Sequence, residues 1–226
     1  MFRRAAATHP RTCPSSSIDA TKRPELELHV RPTGHFGSSR VILASMAVLV
    51  ALLRGVNVGG HHKLKMDNLR ALCEGIKLGG VKTYLQSGNV VFRTSERNLP
   101  ALSDKIESCV ERELGFRPEV LLRTVPEMRE VIERNPFAER KGIEPGKLAV
   151  VFLEDEPTAV MRKALLEMDI APEELHVIGR QLYIYFPNGQ ARPKLSWPQV
   201  AKILKTSSTA RNWNTVTKLL ELAEML

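Results

Sequence analysis

At 226 residues, with 43% hydrophobic and 26% charged side chains, the chain has the composition of an ordinary globular protein, as one large or two small domains. A formal charge of +8 and a pI near 9.6 invite an anionic partner. However, residues 1–46 carry seven Lys/Arg against three Asp/Glu, so half of the excess lies there and the rest is a modest +4. Three cysteines without a C-x-x-C pair give no sign of a zinc site or disulfide framework, and six histidines without H-x-x-x-H spacing give none of a metal centre.

Residues 1–40 lack periodicity, and the segment 1–46 reads as a disordered leader, or as a mis-annotated extension with the true start at Met46. The Arg- and Ser-rich beginning is like a transit peptide, but Asp19, Glu25 and Glu27 argue against one. Val41–Leu53 is too short to span a bilayer, and Ala47–Leu53 reads as a buried strand. Next come a helix over Met66–Lys77, ended by Gly79-Gly80, and strands Val81–Leu85 and Val90–Arg93 joined through Gln86–Asn89. Asn98-Leu-Pro100 opens a helix that Gly115 stops, and Pro118–Arg123 reads as a strand. Thr124-Val-Pro-Glu127 is a capping box for a short helix that Asn135-Pro136 ends.

From Lys147 a similar pattern begins. Leu148–Leu153 is a strand, Thr158–Met168 a helix, and Leu175–Ile178 with Leu182–Phe186 a hairpin around Gly179-Arg180. Trp197–Leu204 is a short helix, Thr206–Ala210 a linker, and Trp213–Met225 the last helix, with Asn212 or Asn214 as N-cap. The expected fold class is α+β: two related ferredoxin-like halves built on split βαβ units, 47–135 and 136–226, the second carrying the C-terminal helix.

In a split βαβ unit the loop after strand one, the first hairpin and the turn before strand four share one sheet edge. Here that edge collects Arg54–Lys63, Gln86–Asn89 and Gly115–Arg117, rich in donors and without a carboxylate. Candidate ligand-binding residues are Arg54, Asn57, Gly59, Gly60, Lys63, Gln86, Ser87 and Asn89, with Arg211, Asn212 and Asn214 as a third wall. Each has a structural alternative. Tight turns need glycine at positive φ, Asn57 and Asn89 can form turns, and Arg211–Thr215 can be a capped helix start with Trp213 in the core. Gly55-x4-Gly60 continues into His61-His62, not Lys-Ser/Thr, so a phosphate-loop NTPase is rejected, and no G-x-G-x-x-G cofactor motif is present. The acidic Glu154-Asp-Glu156 has no further ligand nearby and reads as a helix start, and no catalytic triad can be nominated.

Four stretches together carry a family resemblance: Ala51-Leu-Leu-Arg-Gly-Val-Asn-Val-Gly-Gly60, Thr83-Tyr-Leu-Gln-Ser-Gly-Asn-Val-Val-Phe92, Asn135-Pro-Phe137 and Arg211-Asn-Trp-Asn-Thr-Val-Thr-Lys-Leu219. From Ala47 onward the chain resembles the bacterial family catalogued as domain of unknown function 1697. That resemblance implies a cytosolic α+β protein of unassigned activity. Two departures are Lys65 where the family carries proline, and Pro193-Lys-Leu195 where it carries Ser-Lys-Leu.

Three readings of function stay open. The first is a site for an anionic or nucleotide-like small molecule at the donor-rich edge. The second is nucleic-acid binding, which the pI favours and the 5% aromatic content and missing RNA-binding strand motif oppose. The third is a non-catalytic interaction module. No cofactor, metal or membrane span is expected, and oligomeric state is not readable.

Overall fold

The computed structural model describes residues 46–57 and 63–226. Residues 1–45 of the leader, and residues 58–62 with Gly59, Gly60 and the His61-His62 pair, lie outside the described residues. Eight strands and six helices follow in the order β1 (Ala47–Leu53), α1 (Met66–Gly75), β2 (Gly79–Tyr84), β3 (Asn89–Thr94), α2 (Leu99–Leu114), β4 (Val120–Thr124) and α3 (Val125–Glu133), then β5 (Leu148–Leu153), α4 (Ala159–Leu166), β6 (Glu174–Ile178), β7 (Gln181–Tyr185), α5 (Trp197–Leu204), β8 (Ser208–Asn212) and α6 (Trp213–Glu224). They build two four-stranded antiparallel sheets, ordered β2-β3-β1-β4 and β6-β7-β5-β8. In each sheet the first strand of the half lies between the third and the fourth.

The apolar runs of β1 and β5 follow from burial on both faces. Leu49, Ala51 and Leu53 point into a core closed by α1 and α2. Val50 and Leu52 point the other way, into a central core shared with Val150 and Phe152 of β5. Met128 and Val131 of α3 and Val216, Leu219 and Ala223 of α6 fill this central layer, so both sheets pack on the same pair of helices. A third core, under α4 and α5, holds Ala149, Val151 and Leu153. Tyr183 is fully buried and donates its hydroxyl to Val131 O at 2.8 Å, joining β7 to α3.

Helix starts follow the side chains that can accept from their first turn. Asn98 caps α2, Thr124 and Glu127 form the capping box of α3, Thr158 caps α4 and Ser196 caps α5. Gly115 ends α2 at φ +73.

Two expectations are corrected. Gly79-Gly80 begins β2 and does not end α1, which closes at Ile76-Lys77 with Lys77 at positive φ. The second half also has a fourth strand: Ser208–Asn212 pairs with Ala149–Leu153, where a linker over Thr206–Ala210 was expected. Arg211 therefore belongs to a strand, and Asn212 caps α6 by accepting from Asn214 N at 3.0 Å. The strand was disguised because its inward side chains, Thr209 and Arg211, are polar.

Gly88 closes the β2–β3 turn at φ +72, and its carbonyl accepts from Leu53 N at 2.8 Å. A Cβ there would lie 2.8 Å from Leu53 Cβ, too near the backbone of β1 to move aside. Gly88→Ala is expected to lose about 2–3 kcal/mol of stability through positive-φ strain and that overlap. Gly142→Ala, at φ +80 with open space around it, should lose less. Urea unfolding of the two variants checks the order.

Candidate functional site

The predicted edge exists as a chain of backbone contacts. Arg54 N donates to Glu119 O and Leu53 N to Gly88 O, both at 2.8 Å, so the end of β1, the β2–β3 hairpin and the turn before β4 meet. Much of the polar chemistry gathered there is spent on holding these segments together.

Arg211 is 7% exposed and uses all five of its N–H donors. Nε donates to Asn89 Oδ1 at 2.5 Å, Nη1 to Thr209 Oγ1 (2.6 Å) and Ala210 O (2.8 Å), and Nη2 to Leu53 O (2.8 Å) and Ser87 O (3.0 Å). Every acceptor is neutral. Burial pushes the guanidinium pKa down to about 10, which still leaves it charged near neutrality. The first half returns the contact: Arg123 of β4, 1% exposed, donates from Nη2 to Leu153 O at the end of β5. Arg123 faces Val50 in the ladder, as Arg211 faces Val150. The backbone repeats the correspondence, for Leu153 N donates to Arg180 O and Glu154 N to Ser207 O. Arg123 is the less satisfied of the two. Its Nη1 reaches Leu122 O, while Nε has no partner, and burial together with repulsion from Arg180 lowers its pKa to about 10.

Other candidates turn inward as well. Asn89 is fully buried, accepting from Arg211 and donating to Tyr84 O and Ser87 Oγ. Asn57, at φ +56, donates to Leu64 O (2.8 Å) and Gln86 O (2.6 Å) and accepts from Leu64 N, stapling its loop to the hairpin. Asn212 donates to Gly146 O, away from the edge. Lys63, Gln86 and Asn214 are exposed, and Arg117 is drawn onto α2 by Asp104 (2.6 Å), Glu107 (3.0 Å) and Glu111 (3.1 Å). The edge is not free of carboxylates: Glu119 pairs with Arg54 at 2.7 Å.

What the structure does bring together is a pocket of about 450 Å³ between the two halves. Its first-half wall is Leu53–Val56 with Ser87. Its second-half wall is Ser208–Arg211 of β8, closed by Trp197, Val200 and Ala201 of α5. Arg54 stands at the rim, about half exposed, and Arg211 lies in the floor. Among the described lining residues there is no Asp or Glu. Reasoning from sequence missed Trp197, although Ser196-Trp-Pro198 opens α5 much as Asn98-Leu-Pro100 opens α2.

Two other depressions set this pocket apart. The matching position in the first half, under the start of α2, holds about 220 Å³ and is lined by Arg123 and Arg180 but also Glu127 and Glu154. A wider depression of about 570 Å³ lies over α4, where the charges are already paired, Arg162 with Glu156 and Lys163 with Glu167. Among the described residues no His/Cys/Asp/Glu group is arranged to hold a metal, and no helix is long and apolar enough to cross a membrane.

Replacing Arg211 by lysine keeps the charge but leaves at most three donors for five acceptors. Arg211→Lys should cost about 2–3 kcal/mol, because a buried acceptor left without a donor costs roughly 1–3 kcal/mol. Arg54→Ala, which removes an exposed pair, should cost under about 1 kcal/mol. Thermal or urea unfolding of both variants separates the structural arginine from the rim arginine.

No curated protein matches the chain. Among solved structures, the conserved bacterial protein SP0830 from Streptococcus pneumoniae is similar in fold, with a TM-score of 0.59 and 20% identity over 79% of this chain and 99% of that one. A family described as "Protein of unknown function (DUF1697)" matches residues 46–183, stopping short of the Arg211–Leu219 stretch. Because that match spans more than half of the chain, the protein belongs to the DUF1697 family.

Proposed function

We propose that the protein binds an anionic small molecule in the pocket between β1, the β2–β3 hairpin, β8 and α5, with Arg54 as its anion contact. The observation that carries this reading is the charge of the pocket lining. The charged residues among the described lining are Arg54 and Arg211, with no Asp or Glu in that lining, and the carboxylate that pairs with Arg54, Glu119, is not part of it. Arg211 has spent its donors and acts through its field, whereas Arg54 is held by a single exposed pair with Glu119. Exposed pairs of this kind are worth about 0–1 kcal/mol, so an incoming anion can displace Glu119 at little cost. Ser87 and Ser208 add hydroxyls to the wall.

The scaffold supports two further inferences. The repeated strand order and the reciprocal arginine contacts favour two ferredoxin-like halves, 47–135 and 136–226, as products of a duplication. The unpaired, buried thiols of Cys73 and Cys109 suit a reducing, cytoplasmic setting, and burial pushes the Cys73 thiol up to about 12, away from reactivity.

Calorimetric titration with a phosphate monoester such as ribose phosphate tests the anion site. Arg54→Ala should weaken binding at least tenfold, and Glu119→Gln, which removes the competing carboxylate, should tighten it severalfold. Equal affinity in the wild-type protein and Arg54→Ala would sink the proposal.

A further inference from the structure

We infer that the pocket's ligand carries a planar heteroaromatic ring joined to its anionic group, as in a nucleoside monophosphate, and that Trp197 is the wall on which the ring stacks. This rests on the anion site proposed above and adds a second recognition element to it. Trp197 is the first residue of α5, fixed by the Ser196 cap and by Pro198 at the next position. Its indole lies tilted against Phe186, ring centroids 6.4 Å apart, and is still 38% exposed. A large aromatic on a fixed backbone position, resting on one ring neighbour and left this open, offers a flat face and has only two side-chain torsions to fix on binding.

In the other half Leu99 opens α2 before Pro100 in the matching place, beside adjoining depressions of about 220 Å³ and 340 Å³ that are lined in part by carboxylates. The pocket at Trp197 is about 450 Å³, within the range that encloses cofactor-sized molecules and much larger than a bare phosphate needs. Val56, Val151 and Val200 line the same pocket as Trp197, and Arg54 lies at the rim for the anion. A ligand that satisfies both ends has a flat apolar body and one anionic group. Stacking of a base on an aromatic side chain is sequence-tolerant, so the class is set more tightly than the base.

The chain has two tryptophans, so Trp213→Phe leaves Trp197 as the sole indole emitter. Titration of that variant with the adenosine, guanosine, cytidine and uridine monophosphates, and with ribose phosphate, reads stacking and anion binding separately. At least one nucleotide should quench the emission saturably and bind about tenfold or more tighter than ribose phosphate. By calorimetry on the otherwise wild-type chain, Trp197→Ala should erase that margin without loss of ribose phosphate binding, and Trp197→Phe should keep most of it. If ribose phosphate binds as tightly as every nucleotide and the emission is unchanged, the ring inference falls and the anion site stands. If neither ribose phosphate nor any nucleotide binds, both fall together.

Discussion

A buried guanidinium with five neutral oxygen partners fixes the relation between the two halves of this fold. Arg211 reaches from β8 to the last carbonyl of β1, to the Ser87 carbonyl and to the Asn89 side chain. Those carbonyls lie where the chain leaves the sheet, so no ladder partner is available to them. Taking a cation out of water is expensive. The cost is offset here because one rigid fork satisfies acceptors from three segments that must be brought together anyway. Arg123 does the reciprocal service at Leu153 O. The pocket walls on either side of the interface are thus positioned by the residues that close it.

The two clamps are unequal, and the inequality tracks the two pockets. Around Arg211, Asn89 supplies the acceptor for Nε. At the equivalent ladder position the other half has Gln181, opposite Phe152 as Asn89 is opposite Leu52, and Arg123 Nε is left without a partner. Arg123 is instead supported by the Phe152 ring, 5.7 Å from its Cζ, and by the nearby carboxylates of Glu127 and Glu154. Carboxylates compensate the charge on that side. On the Arg211 side the guanidinium instead donates to five neutral oxygens, which satisfy its geometry and carry no counter-charge.

Much of the framework could be read from the residues. Ala47–Leu53 and Leu148–Leu153 are strands with the bounds their apolar runs suggest, and the capping box at Thr124 stands as expected. The gathering of loops after β1, at the hairpin and before β4 follows from strand direction alone. β8 was not legible, because Thr209 and Arg211 occupy its buried positions and erase the alternation that marks a half-buried strand. The helix start at Asn212-Trp213 stands as expected, and only the strand that runs into it through Arg211 was hidden. The pairing of Arg54 with Glu119 was also out of reach, since it depends on two residues 65 apart meeting across a sheet edge.

A stretch dense in arginine and asparagine is an ambiguous sign of function, and this fold shows why. Asn57, Asn89 and Arg211 are polar because loops and strand ends need partners, and their donors are consumed in supplying them. What such a network leaves over is charge. Five hydrogen bonds satisfy the geometry of Arg211 without cancelling its positive charge, and no carboxylate is among the described residues that line the pocket above it. In a partly enclosed space that field falls off more slowly than it would in water. An anion arriving at Arg54 would therefore be favoured by the structural arginine beneath it as well as by the one it touches. The residue that closes the fold and the residue that would greet the ligand are in this way coupled by electrostatics and not by contact.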